Sequence, residues 1–268
     1  MNTVQWIGTA VTAGMLLSSA LTAANETQPS SPNSFNVPSI FDGIVNGTAG
    51  SPEISTAQLR TALDDSSAIV LDARPYEEYA VSHIPGAQTV PGKPGTTPAL
   101  YVADVSDVAK RIPDRAQPLI LYCNGLYCGR SERAADELTG IGYRNVSRYQ
   151  LGAPGWRALG GVMQVEAPAL LRLLAHDTTS VLIDGRTQTG LGPHLKNAVS
   201  IPLRDAAKAK DDGRLPMTDH NTRIFVVADN GVEARKVAEA IVHDAFHNVT
   251  FFDGAISDLP ELLEQDEQ

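Results

Sequence analysis

The chain has 268 residues, 43% of them hydrophobic, enough for two ordinary cores of about 100 residues each. A formal net charge of -10 argues against a general nucleic-acid or anionic-membrane surface, which needs clustered Lys and Arg, and leaves room only for a local basic site. The two cysteines, Cys123 and Cys128, sit in one short segment without CxxC spacing or a second pair, which excludes a disulfide framework across the fold and argues against structural zinc.

Residues 1–24 carry an apolar stretch through Leu21 and then the small residues Ala20-Leu21-Thr22-Ala23-Ala24, and read as a secretory signal despite having no Lys or Arg at the start. An uncleaved anchor or an untargeted tail is the alternative. The expectation is a periplasmic or secreted protein with no membrane span after cleavage, since no long apolar run follows. Residues 25–53, rich in Ser, Pro, Asn and Gly, read as a linker.

Organised pattern starts at Ile54. Ser55-Thr56-Ala57-Gln58 is a capping-box signature opening a helix whose face includes Leu59, Ala62 and Leu63. Ala68-Ile69-Val70-Leu71, ending on Asp72, and Pro118-Leu119-Ile120-Leu121-Tyr122, ending on Cys123, are short apolar runs of the buried parallel-strand type. A helix is expected from about Ser131 to the Gly140-Ile141-Gly142 stop, followed by a strand over Val146 to Leu151. The second half repeats the order. A helix over Ala169 to Leu174 precedes Val181-Leu182-Ile183-Asp184, then Ile224 to Ala228, a helix carrying Ala238 and Ile241, and Asn248-Val249. Alternating strands and helices predict an α/β fold of two tandem domains, 54–161 and 162–268, each a parallel sheet flanked by helices.

Cys123 lies where a strand ends and a loop turns into a helix. Ligands in open α/β sheets bind at that end. Inward amides and the helix N-terminus would favour its thiolate, the nucleophilic form. Gly125 and Gly129 permit the dihedrals such an amide cradle needs. Cys128 reads as a resolving thiol, as a small side chain packed under the loop, or as half of a permanent disulfide; an inverted assignment makes Cys128 the nucleophile.

Three motifs place the first half near a known family. Asp72-Ala73-Arg74-Pro75-Tyr76-Glu77-Glu78-Tyr79 with Ser82-His83-Ile84-Pro85-Gly86-Ala87, then Leu121-Tyr122-Cys123 with Arg130-Ser131, then Gly152-Ala153-Pro154-Gly155-Trp156, resemble the signatures of the rhodanese family over Ile54 to Gly161. The second half resembles it more weakly, through Asp184-Gly185-Arg186 and His194. The resemblance implies a sulfurtransferase in which Cys123 accepts sulfane sulfur from a donor such as thiosulfate, carries it as a persulfide and hands it to a thiophilic acceptor, a small molecule or a thiol protein, without cofactor or metal. It assigns catalytic roles to Cys123 and Arg130, and substrate contacts to Asn124, Gly125, Leu126, Tyr127, Gly129 and Arg74. The loop departs from the family's common form: seven residues separate Cys123 from Ser131, two more than usual. A non-catalytic redox-sensing or binding module built on the Cys123/Cys128 pair is the main alternative. Phosphatase or arsenate reductase chemistry ranks lower, because Tyr122 replaces the His usual before that nucleophile and Arg130 stands seven positions after it.

Several neighbours read more simply. Asp72 with Arg74, recurring as Asp184 with Arg186, suits an ion pair or turn cap, and His83, mirrored by His194, suits a fold position. Trp156 suits the core, and Glu77 and Glu78 a solvated helix face. In the second half, matching Asn124-Gly125 to Asn230-Gly231 puts Asp229 at the Cys123 position; a carboxylate forms no persulfide, so this domain is expected to be inactive and to shape a cleft against the first.

Overall fold

The computed structural model describes residues 51–187 and 194–263; the proposed signal and most of the linker lie outside them. The described residues belong to one compact unit, Pro38–Gln268. Two parallel sheets, each covered by helices on both faces, form it.

The first repeat runs α1 (Thr56–Asp64), β1 (Ile69–Asp72), α2 (Tyr76–Val81), β2 (Gln88–Thr89), α3 (Val105–Arg111), β3 (Leu119–Tyr122), α4 (Gly129–Gly140), β4 (Val146–Tyr149) and α5 (Gly152–Ala158). The strand order is β2-β1-β3-β4. The capping box at α1 is formed: the Ser55 hydroxyl accepts from the Gln58 amide, and the Gln58 side chain accepts from the Ser55 amide at 2.8 Å. Strand β3 shows why the apolar run has no polar alternation. Leu119 and Leu121 enter the core under α3 and α4, whereas Ile120 and Tyr122 enter the core under α1 and α5.

The second repeat runs β5 (Met163–Val165), α6 (Ala167–His176), β6 (Val181–Asp184), β7 (Ala198–Ser200), β8 (Ile224–Val227), α7 (Gly231–Val242) and β9 (Val249–Phe252). Its order, β5-β9-β8-β6-β7, repeats the first with one more edge strand. The first sheet has a vestige of that strand. Pro52 and Glu53, read from sequence as linker, pair in parallel with β4: Arg148 donates its amide to Pro52 and Ile54 donates to Arg148.

Strand β5 also ties the repeats together. One edge pairs with β9, and on the other Gln164 exchanges two backbone hydrogen bonds with His83, at 2.8 and 2.9 Å. Met163 packs into a core of the first repeat, and Ala80 of α2 into a core of the second. A cleft of about 810 Å³ lies between the repeats, lined by residues including Asp64, Gln88, Gln164, Gly231, Arg235 and Asp253, with no residue of the Cys123 loop among its walls. No helix among the described residues is long and apolar enough to cross a membrane.

Candidate functional site

The segment after β3 places the candidate residues Cys123, Asn124, Gly125, Leu126, Tyr127, Cys128, Gly129 and Arg130 at the C-terminal end of the sheet. Cys123 is 1% exposed. Helix α4 starts at Gly129, two residues before the expected Ser131, so five residues rather than seven separate Cys123 from the helix. Ser131 does not open the helix; it is buried within its first turn. Cys128 takes the N-cap position without a side-chain cap bond.

A disulfide joins Cys123 and Cys128, with Cα atoms 6.2 Å apart. The small packed thiol among the readings of Cys128 is therefore not what is found. The Cys128 amide closes the turn onto the Gly125 carbonyl at 3.0 Å. Gly125 makes that turn at φ +98°, a conformation costly for any residue with a Cβ. Gly152 (φ +60°) lies under it: a Cβ there would stand 2.2 Å from the Cys123 carbonyl and 2.5 Å from the Gly125 amide. Among the described residues, the amides of Asn124, Gly125, Leu126 and Tyr127 donate to no other protein group. With the orphan amides that open α4, they supply an amide rim, a run of anion-favouring donors in the loop that joins the two cysteines.

The support beneath the loop is polar and fully paired. The Arg74 guanidinium grips Asp72 through Nε at 2.8 Å and Nη2 at 2.6 Å, and Nη2 also donates to the Ser82 carbonyl at 2.7 Å. The Tyr122 hydroxyl donates to Asp72 at 2.6 Å and accepts from the Ile84 amide at 3.1 Å. Burial alone would lower the Arg74 pKa, but the hydrogen bonds to Asp72 together with the charges of Asp72 and Glu78 and the Tyr122 hydroxyl outweigh it and leave it raised. Burial, then the Asp72 charge, hold the Tyr122 hydroxyl protonated. Arg74, assigned to substrate by the resemblance, is thus buried beneath the loop; its Nη1 reaches the Asn124 side chain at 3.5 Å.

Glu78 was missed by sequence reasoning, which placed it on a solvated face. One oxygen accepts from Asn124 Nδ2 and the other from Arg130 Nη1, the latter at 3.0 Å, so α2 clamps both ends of the loop. Arg130 also lies over the Tyr101 ring at 5.8 Å. Arg148, another residue outside the sequence reading, hydrogen-bonds Gln150, whose side chain donates to the Leu126 carbonyl at 2.7 Å. Neither role had a local signal: the Glu78 partners are 46 and 52 residues away, and Arg148 reaches the loop through Gln150, 24 residues beyond Leu126.

His83 is buried, with Nδ1 2.9 Å from the Tyr79 carbonyl and its ring stacked on Tyr79 at 3.8 Å. Burial pushes its pKa down to about 4. It stands at the junction with β5; His194 holds the matching position, six residues before the paired edge-strand residue in each repeat and ahead of the same turn, but is exposed there. Trp156 is in the core and donates to the Val162 carbonyl at 2.8 Å.

The second repeat corrects another alignment. Asp72 pairs with Tyr122, and Asp184 with Val227. The next carbonyl accepts from Ala153 in one case (Cys123) and from Ile256 in the other (Ala228), each at 3.0 Å. The counterpart of Cys123 is therefore Ala228, not Asp229. Only Asp229 and Asn230 precede α7, against five loop residues in the first repeat, and the Asn230 side chain caps the Glu233 amide at 3.0 Å. The Asp184–Arg186 pair repeats the Asp72–Arg74 pair, at 2.7 Å. Among the described residues no three His, Cys, Asp or Glu gather as a metal site.

A rhodanese-like domain model matches residues 55–159 and 167–259. Over 122 residues the chain is 33% identical to the HTH-type transcriptional regulator Rv0324 of Mycobacterium tuberculosis, covering 44% of this chain and 48% of that protein. Over 102 residues it is 31% identical to the thiosulfate:glutathione sulfurtransferase of Saccharomyces cerevisiae, covering 36% of this chain and 70% of that protein. The chain thus spans about half the length of the first relative and about two thirds of the second. The crystal structure of the 3-mercaptopyruvate sulfotransferase SseA from Escherichia coli aligns over 76% of this chain and 98% of that one, at 21% identity and a TM-score of 0.35. With both repeats matched, this chain belongs to the rhodanese-like family.

Proposed function

We propose that this chain is an exported sulfurtransferase whose first repeat carries sulfane sulfur on Cys123. The observation carrying this reading is the seat of Cys123: a buried residue at a strand end, followed by four uncommitted amides in its loop, with Arg130 the second residue of the next helix. In the reduced protein those donors favour thiolate and suit an anionic donor. The thiolate attacks the outer sulfur of thiosulfate, the donor named for the yeast relative. A Cys123 S–S bond forms, the bond to the sulfonate breaks, and sulfite leaves with the electron pair. The persulfide anion then faces the same amides until a thiophilic acceptor removes its outer sulfur. Residues 1–24 supply the export reading, and the test is whether the secreted or periplasmic protein lacks them.

Mass spectrometry of reduced protein mixed with thiosulfate tests the chemistry. The expected result is release of about one sulfite per chain, absent in Cys123→Ser, with the sulfur atom retained on the chain in Cys128→Ser. The closed Cys123–Cys128 bond favours a second reading, a redox-sensing module without turnover. That reading predicts a disulfide that opens and closes with applied potential while thiosulfate releases no sulfite. Release of phosphate from a generic ester, lost in Cys123→Ser, would instead point to phosphatase chemistry.

A further inference from the structure

We propose that the first acceptor of the Cys123 sulfur is Cys128 of the same loop, so that the chain releases hydrosulfide and needs an external dithiol to turn over. This rests on the sulfur-transfer reading above. Three features carry it. The two sulfurs are bonded, so the loop allows Cys128 to approach Cys123. Cys123 is 1% exposed whereas Cys128 is half-buried, so the two sulfurs differ in access and Cys128 is the one nearer solvent. Cys128 is half-buried at the mouth, its side chain holds no cap hydrogen bond, and only five residues separate it from the helix-free end of β3. A thiol tethered so closely acts at an effective concentration in the millimolar range or above, more than a dilute external thiol supplies.

The step balances. The Cys128 thiol gives up its proton, and its sulfur attacks Cys123 Sγ. The Sγ–Sγ bond forms as the bond from Cys123 Sγ to the outer sulfur breaks. The outer sulfur takes the electron pair and the proton and leaves as hydrosulfide. It is reduced by two electrons as the two cysteines are oxidised to the disulfide seen here. A dithiol then attacks Cys128, the more exposed sulfur. Cys123 departs as thiolate into the amide rim, the better-stabilised leaving group, and the second thiol of the dithiol releases Cys128. Tyr127, 93% exposed beside Cys128, marks the face a dithiol protein would approach.

A single-turnover experiment decides it. Full-length protein is reduced, freed of reductant and mixed anaerobically with thiosulfate, with no acceptor added. Sulfite, hydrosulfide and intact mass are read together. The expected result for the wild type is about one sulfite and one hydrosulfide per chain, with the protein two hydrogens lighter and no sulfur gained. Cys128→Ser is expected to release sulfite, keep the added sulfur on Cys123 and yield at least about tenfold less hydrosulfide. A wild-type chain that releases sulfite yet holds its persulfide, with no hydrosulfide, overturns the intramolecular step and leaves the transfer reading standing. Sulfite from neither protein sinks the transfer reading itself. Since the wild-type arm alone separates these outcomes, the folding of the variant does not limit the test.

Discussion

The two strand-end loops of this molecule share a scaffold and differ in what the scaffold holds up. Both follow the third aligned strand of a parallel sheet, both lead into a helix of 12 residues, and both rest on a buried Asp–Arg pair. The first inserts five residues that bring a second sulfur and four uncommitted amides; the second has two residues, and the Asn230 side chain caps the helix. Sheet and ion pair are thus the generic part of the design, and loop length sets whether a nucleophile has a cradle.

The largest expected effect breaks the comparison at the sulfur. Cys123→Ala should abolish sulfur uptake from thiosulfate, and adding Ala228→Cys to that variant should not restore it, because a two-residue loop offers no amide rim. Sulfur gained at residue 228 by mass spectrometry would show that loop length is irrelevant. Next comes the shared ion pair. Asp72→Asn strands a buried guanidinium and should cost about 3–5 kcal/mol in urea unfolding. Asp184→Asn should cost roughly 1 kcal/mol less, since only Asp72 also accepts from a tyrosine hydroxyl while its counterpart faces Val227. Equal losses would remove Tyr122 from the account.

His83 sharpens the comparison through pH. Its folded pKa near 4 lies below the ordinary 6.5, so the unfolded chain binds more protons between those values. Stability from the neutral imidazole is present in full above pH ~6.5 and is lost as pH falls toward ~4, by on the order of 3 kcal/mol. The Arg74 charge works against protonation, and Glu166 Oε1, 3.9 Å from Nε2, partly offsets the loss once the ring is charged. His83→Asn should flatten the acid limb of the unfolding-midpoint profile. His194→Asn, at the exposed position, should not. The smallest effect concerns the clamp. Glu78→Gln releases Arg130 from a half-exposed pair and should lower KM for thiosulfate about twofold, while Glu77→Gln leaves it unchanged. A higher KM in Glu78→Gln would mean that Glu78 orders the loop more than it competes with the donor.

The sheets were legible because buried parallel strands announce themselves as short unbroken apolar runs, and β1, β3, β6 and β8 stand within a residue of their expected bounds. The capping box at Ser55 was equally plain. Helix α5 was not: two glycines and a proline in Gly152–Ala158 hide a helix whose entry is set by tertiary contact with the Cys123 carbonyl. The start of α4 was misplaced because Gly129 and Arg130 carry no start signal of their own. Register, not residue type, separates Ala228 from Asp229, and register is a property of paired strands. Glu78 reads as solvent-facing on its own helix, and its partners are 46 and 52 residues away.

Strand β5 gives the molecule a property that neither repeat has alone. Three residues serve as a shared splice: their backbone completes the later half, while Met163 plugs the interior of the earlier one. Heat or urea should therefore meet one cooperative object rather than two beads on a string. A gene cut at the visible seam near Gly161 would leave the sulfur-bearing half with an open edge and a hole where a methionine belongs. The half without a cysteine earns its place as the other jaw of that splice.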